Sequence, residues 1–130
     1  MKYKILIVCS NYYKDISKNL LEGSLATLND DAEIKVIEVP GSFEIPVVIS
    51  KNINNFESFV ALGCIIKGET PHFDFISQSI TNSIMDLSVR FKKPIGNGII
   101  TSLNKDQALT RSQKKGIEAA DAVLKVLNIL

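Results

Sequence analysis

Cysteine is scarce in this sequence: Cys9 and Cys64 are the only two among 130 residues, and both sit inside apolar runs. That excludes a disulfide framework and reads as a pair of buried thiols in a reducing cytosol. No stretch approaches the roughly 20 apolar residues needed to cross a bilayer. The basic, apolar start MKYKILIVCSNYY turns polar too soon to be a secretory leader. Charge of one sign is also lacking, with 15 basic residues against 14 acidic, so no broad field favours nucleic acid or an anionic membrane. An anionic ligand must be held by a local site. Histidine occurs once, at His72, and no His/Cys cluster has metal-ligand spacing. There is no glycine-rich dinucleotide fingerprint and no Walker-type lysine loop. Val8-Cys9-Ser10-Asn11 lacks the acidic residues with which a phosphorylation receiver holds magnesium. What remains is a soluble, cytoplasmic protein that works with side chains and backbone alone.

A chain of this length is expected to form a single domain over residues 1–130, burying roughly two thirds of its unfolded surface. Ile5 to Cys9 is an apolar, β-branched run bounded by polar residues, the pattern of a strand buried on both faces. Ile16, Leu20, Leu21, Leu25 and Leu28 then recur at a helical period. The alternation continues with a strand over Ile34 to Val39, a turn at Pro40-Gly41-Ser42 and a short helix from Glu44. A third strand spans Phe59 to Ile66, and Phe73, Ile76, Ile80, Ile84 and Leu87 mark one face of a long helix. Pro94 to Thr101 supplies a fourth strand, where Gly96 and Gly98 suit the close approach of another group. The tail from Asn104 is expected to be helical in two pieces, with Ile117, Ala120, Val123, Leu124 and Leu127 turned inward. Strands alternating with helices imply an α/β fold with a parallel sheet covered on both faces.

Ligands of such sheets bind beyond the carboxyl ends of the strands. Ser10-Asn11-Tyr12, Gly41-Ser42-Phe43-Glu44 and Gly68-Glu69-Thr70-Pro71-His72 all follow strands and should gather there. His72 falls in the first turn of the third helix, with Thr70 as expected N-cap and Pro71 as expected first helical residue. It is either a proton-transfer group or a polar helix-end residue with no task. The Gly68-Glu69-Thr70 turn either offers backbone amides to a phosphate or is a capped, empty turn. Arg111 is either a bidentate phosphate clamp or a solvated surface charge, and the same alternatives stand for Lys114 and Lys115. Tyr12 and Phe43 could stack on a flat ring or merely pack the rim. Glu44 could accept ring N–H bonds or serve as a favourable charge at a helix start. Cys64 is a poor candidate nucleophile, since apolar surroundings raise a thiol pKa.

Three separated segments, read together, carry a family pattern. They are Val39-Pro40-Gly41-Ser42-Phe43-Glu44-Ile45-Pro46, then Ala61 through Asp74 with Gly68-Glu69-Thr70-Pro71-His72-Phe73-Asp74 at its end, then Asp106-Gln107-Ala108 ahead of Arg111. In order and spacing they resemble the motifs of the 6,7-dimethyl-8-ribityllumazine synthase family of riboflavin biosynthesis. The resemblance implies a flavodoxin-like three-layer αβα sandwich with a four-stranded parallel sheet. It implies condensation of 5-amino-6-(D-ribitylamino)uracil with 3,4-dihydroxy-2-butanone 4-phosphate, with no cofactor and no metal. His72 would match the proton donor and acceptor. Tyr12, Ser42, Phe43, Glu44, Cys64, Ile65 and Ile66 would line the pyrimidine and ribityl pocket, and Glu69, Thr70 and Arg111 would hold phosphate. Lys115 would match a second basic residue near it.

The sequence departs from the family pattern in two places. Asn97 stands where many members carry a phenylalanine that covers the pyrimidine from the neighbouring subunit. Between Arg111 and Lys115-Gly116 the chain is also shorter than the usual loop. The resemblance further implies a homo-oligomer, a pentamer or a multiple of it, with active sites between adjacent subunits. Rival readings are a non-catalytic riboflavin or lumazine binder and a riboflavin synthase of similar fold.

Overall fold

The computed structural model describes residues 2–129, so the two ends of the expected 1–130 domain, Met1 and Leu130, lie outside the described residues. Strand β1 (Tyr3–Ser10) leads into helix α1 (Lys14–Leu28) and strand β2 (Ala32–Val39). A single 3₁₀ turn (Ser42–Glu44) runs directly into helix α2 (Ile45–Lys51). Strand β3 (Ser58–Ile66), helix α3 (His72–Phe91), strand β4 (Ile95–Ser102) and helix α4 (Lys105–Leu127) complete the order. The four strands form one sheet in the order β2-β1-β3-β4, and every pairing is parallel.

Alternation along β1 divides the core into two layers. Ile5, Ile7 and Cys9 face α1 and α4, packing with Ile16, Leu20, Ala120 and Val123. Leu6 and Val8 face the opposite way, toward Ile45 and Ile49 of α2 and Ile80 and Ile84 of α3. The molecule is therefore a three-layer αβα sandwich of flavodoxin-like topology. β1 is buried on both faces from Ile5 through Ser10, whereas β2, at the sheet edge, leaves Lys35, Val36 and Glu38 exposed.

Small residues set how closely α4 lies on its neighbours. A Cβ added at Gly116 would stand 2.1 Å from the Leu20 carbonyl oxygen of α1, and one at Gly23 would stand 2.5 Å from the Gln113 oxygen of α4. Ser24 Oγ–H donates to the Gly116 carbonyl at 2.8 Å across the same crossing. On the sheet side, a Cβ at Gly96 would meet the Ala119 oxygen at 2.3 Å. Gly96 thus admits a backbone, as its place in a strand suggested.

Three expectations are corrected. The tail is one unbroken helix of 23 residues, not two pieces. It contains no proline, and Gly116, which could end a helix, is held inside by its contact with α1. Ile117 is 42% exposed, because the inward stripe runs through Ser112, Gly116, Ala119, Ala120 and Val123 and leaves position 117 outside it. Pro71, with φ −68° and ψ 2°, is the cap of α3 and His72 its first helical residue, one position later than expected.

Candidate active site

The connection from β1 to β2 moves toward one edge of the sheet, and the one from β2 to β3 passes back over β1 toward the other. Parallel sheets open a crevice at such a reversal, past the carboxyl ends of the two strands. Here that crevice lies beyond Ser10 of β1 and Ile66 of β3. The segments expected to gather at this end of the sheet do so.

After β1 the chain is anchored by main-chain and hydroxyl bonds. Asn11 N–H donates to the Val39 carbonyl at 3.0 Å, and Ser17 Oγ–H donates to the Ser10 carbonyl. Tyr12 N–H reaches Ser10 Oγ at 3.4 Å. The Tyr12 ring is left 70% exposed, standing edge-on to Tyr13 with centroids 4.8 Å apart. After β2, Glu44 N–H closes the 3₁₀ turn on the Gly41 carbonyl at 3.2 Å. This turn buries Ser42, which is 6% exposed, presents the Phe43 ring at 63% exposure and leaves Glu44 half-buried. Ser42 Oγ is buried without a hydrogen-bond partner. Such orphaned hydroxyls are uncommon in interiors.

The end of β3 brings Cys64, buried, and Ile65 and Ile66, half-buried, to the same crevice. Burial pushes the thiols of Cys9 and Cys64 up to about 11, Cys9 with help from the negative charge of Glu38. Neither is a thiolate near neutral pH, which removes both as nucleophiles.

Lys67 N–H donates to the Ser102 carbonyl at 2.9 Å, the last rung between β3 and β4, and Gly68, Glu69 and Thr70, all exposed, then leave the sheet. The amides of these three residues meet no backbone carbonyl among the described residues. They stand just ahead of α3, a helix of 20 residues whose first-turn N–H groups add positive character. His72 opens that helix with an exposed ring, its own N–H turned to Thr70 Oγ1 at 3.4 Å. Backbone donors and an imidazole are thus adjacent and open to solvent.

Asn97, Arg111 and Lys115 come from the last two elements, β4 and α4. Asn97 is on β4, the far edge strand, and its Oδ1 accepts the N–H of Ile99 at 3.0 Å. Arg111 and Lys115 stand one turn apart on α4 and line a small cavity of about 160 Å³ with Ile99, Ile100 and Thr101. None of Tyr12, Phe43, Glu44 or His72 lines that cavity. The start of α4 is pinned by a reciprocal cap in which Asn104 Oδ1 accepts Gln107 N–H at 2.9 Å and Gln107 Oε1 accepts Leu103 N–H at 3.1 Å. The Asn-x-x-Gln spacing signals such a cap. It went unread in the sequence, as did Gly63, whose only signal is a lone glycine in an apolar strand.

A family model described as 6,7-dimethyl-8-ribityllumazine synthase matches residues 2–130. The chain belongs to that family. Among similar curated proteins, the 6,7-dimethyl-8-ribityllumazine synthase of Cutibacterium acnes is 41% identical over 135 residues, covering 98% of this chain and 81% of the relative. The protein of the same name from Methylobacterium radiotolerans is 42% identical over 131 residues, covering 95% and 80%. The 6,7-dimethyl-8-ribityllumazine synthase 1 of Rhodopseudomonas palustris is 40% identical over 138 residues, covering 97% and 85%. All three alignments are longer than the 130-residue chain, so those lumazine synthases carry residues with no counterpart here. In this member of the family, α4 passes from Arg111 to Lys115 without a loop.

Proposed function

We propose that this chain condenses 5-amino-6-(D-ribitylamino)uracil with 3,4-dihydroxy-2-butanone 4-phosphate to give 6,7-dimethyl-8-ribityllumazine, phosphate and water, the penultimate step of riboflavin biosynthesis. The observation that carries this reading is the family match across residues 2–130, supported by relatives of that name at about 40% identity. The enzyme is a transferase. The amine of the pyrimidine forms an imine with the ketone and releases water, phosphate is eliminated, and the second nitrogen closes the ring with loss of water. Each step moves protons on neutral or weakly acidic groups, so holding two substrates in reactive geometry beside one proton shuttle supplies the needed catalysis.

In this reading Tyr12 and Phe43, both exposed at the crevice, stack on the pyrimidine, and Ser42, Glu44 and the ends of Cys64, Ile65 and Ile66 hold its polar edge and ribityl chain. Glu69 and Thr70 present backbone amides to the phosphate, Arg111 and Lys115 complete its charge neutralisation, and His72 carries protons. Asn97 hydrogen-bonds where other family members stack a ring.

The chain works as one domain in the cytoplasm, and among the described residues no helix is long and apolar enough to cross a membrane. Its working form is a homo-oligomer, a pentamer or a multiple of it, in which Arg111, Lys115 and Asn97 of one subunit complete the crevice of the next. Two features support this. Arg111 and Lys115 are carried by α4, which packs on the opposite face of the sheet from α3 and its first residue, His72. Helix α3 leaves Phe75, Met85 and Val89 exposed at helical spacing on one side, an apolar face suited to burial between copies.

The direct test is turnover. Purified protein given both substrates should generate the fluorescent lumazine and release inorganic phosphate in step with it; absence of both products at high enzyme concentration overturns the reading.

A further inference from the structure

Strand β3 is buried from Ser58 through Cys64, and Gly63 lies within that buried run. Glycine inside a strand costs backbone entropy and forgoes side-chain packing, so a close approach is the usual reason for it. The approaching group here is the Ser42–Glu44 turn. A Cβ on Gly63 would stand 2.4 Å from Ser42 Oγ, 3.2 Å from Ile45 Cδ1 and 3.4 Å from Ser42 Cβ.

The topology makes this contact a long-range one. β2, which delivers the turn, is not a neighbour of β3, since β1 lies between them. The turn must therefore cross the end of β1 to reach β3. The β1–β3 register ends there, at Cys9 and Leu62, and Gly63 is the first β3 residue beyond it. Ser42 Oγ makes no hydrogen bond in this position, so the turn is seated by shape and not by a polar anchor. Phe43 and Glu44 follow within the same 3₁₀ turn, and any lift of Ser42 moves them as a unit.

We infer that Gly63 is the positioning residue for the pyrimidine side of the active site: its missing side chain seats Ser42 and so fixes where Phe43 and Glu44 meet the ring. The inference rests on the proposed function for the identity of the ring, but its mechanical half stands on the fold alone. The three atoms nearest a Cβ on Gly63 belong to Ser42 and Ile45 and none to Glu69, Thr70 or Arg111, so the phosphate side should be indifferent.

The test is a double-variant cycle on the full-length protein, using Gly63→Ala, Ser42→Ala and the pair, read by KM for each substrate and by urea midpoint. Gly63→Ala should raise KM for the pyrimidine substrate by about tenfold while KM for the ketone phosphate stays within about twofold. Ser42→Ala removes the atom nearest the new methyl group, so the pair should match Ser42→Ala alone within about twofold, a strongly non-additive outcome. Additive effects, or a parallel rise in both KM values, overturn the inference. If Gly63→Ala fails to fold, recovery of folding in the pair supports it and failure of the pair overturns it. Absence of turnover in the wild type would sink the proposed function instead, leaving urea-midpoint coupling between positions 42 and 63 to decide whether Gly63 seats the turn.

Discussion

At the scale of single residues, His72 is the side chain whose type suits proton transfer, and it is exposed at the start of α3. His72→Ala should lower kcat by about 10- to 1,000-fold with little change in stability, as one acid/base group usually contributes. Wild-type turnover in that variant would remove His72 from the mechanism. The two cysteines make a different prediction. Their thiols are held protonated by burial, with pKa about 11 in place of 9.0. Above pH 9 the unfolded chain releases protons that the folded one keeps, so this contribution is intact below pH 9 and lost as pH rises toward 11. Urea midpoints should fall across that window more steeply for the wild type than for a Cys9→Ala/Cys64→Ala variant. Equal slopes would mean that the thiols do not titrate differently in the two states. The candidate residues were legible here because chemistry resides in residue type, whereas Gly63 was not, because its role is to be empty.

Among the elements, α4 depends on glycine for its seat. Alanine in place of glycine inside a helix ordinarily gains about 1 kcal/mol. Gly116→Ala should instead destabilise by about 1–3 kcal/mol, the usual cost of overpacking, because its methyl group would press on the Leu20 carbonyl at 2.1 Å. Gly68→Ala, with nothing within 4 Å of its added carbon, serves as the control and should leave the urea midpoint nearly unchanged. A raised midpoint for Gly116→Ala would show that the helices have room to spare. The same contact holds Gly116 inside the unbroken helix.

In the whole molecule, Arg111 and His72 are carried by helices α4 and α3, which pack on opposite faces of the sheet. If sites lie between adjacent subunits, His72→Ala and Arg111→Ala proteins, each nearly inactive, should regain activity when unfolded together and refolded as a mixture. Random mixing of equal amounts places an intact His72 beside an intact Arg111 at about a quarter of the interfaces. No recovery would mean that each chain builds its own site. Periodicity and turn chemistry, both properties of neighbours along the chain, determined the alternation of strands and helices, and with it the parallel sheet and the end at which its loops converge. They also placed His72 at the start of α3 to within one residue. The seating of the Ser42 turn on Gly63, the continuity of α4 through Gly116 and the packing of α4 and α3, which carry Arg111 and His72, on opposite faces of the sheet were decided by tertiary structure. Each depends on the distance between atoms remote in sequence, and a pattern of hydrophobic and polar residues carries no measure of that distance.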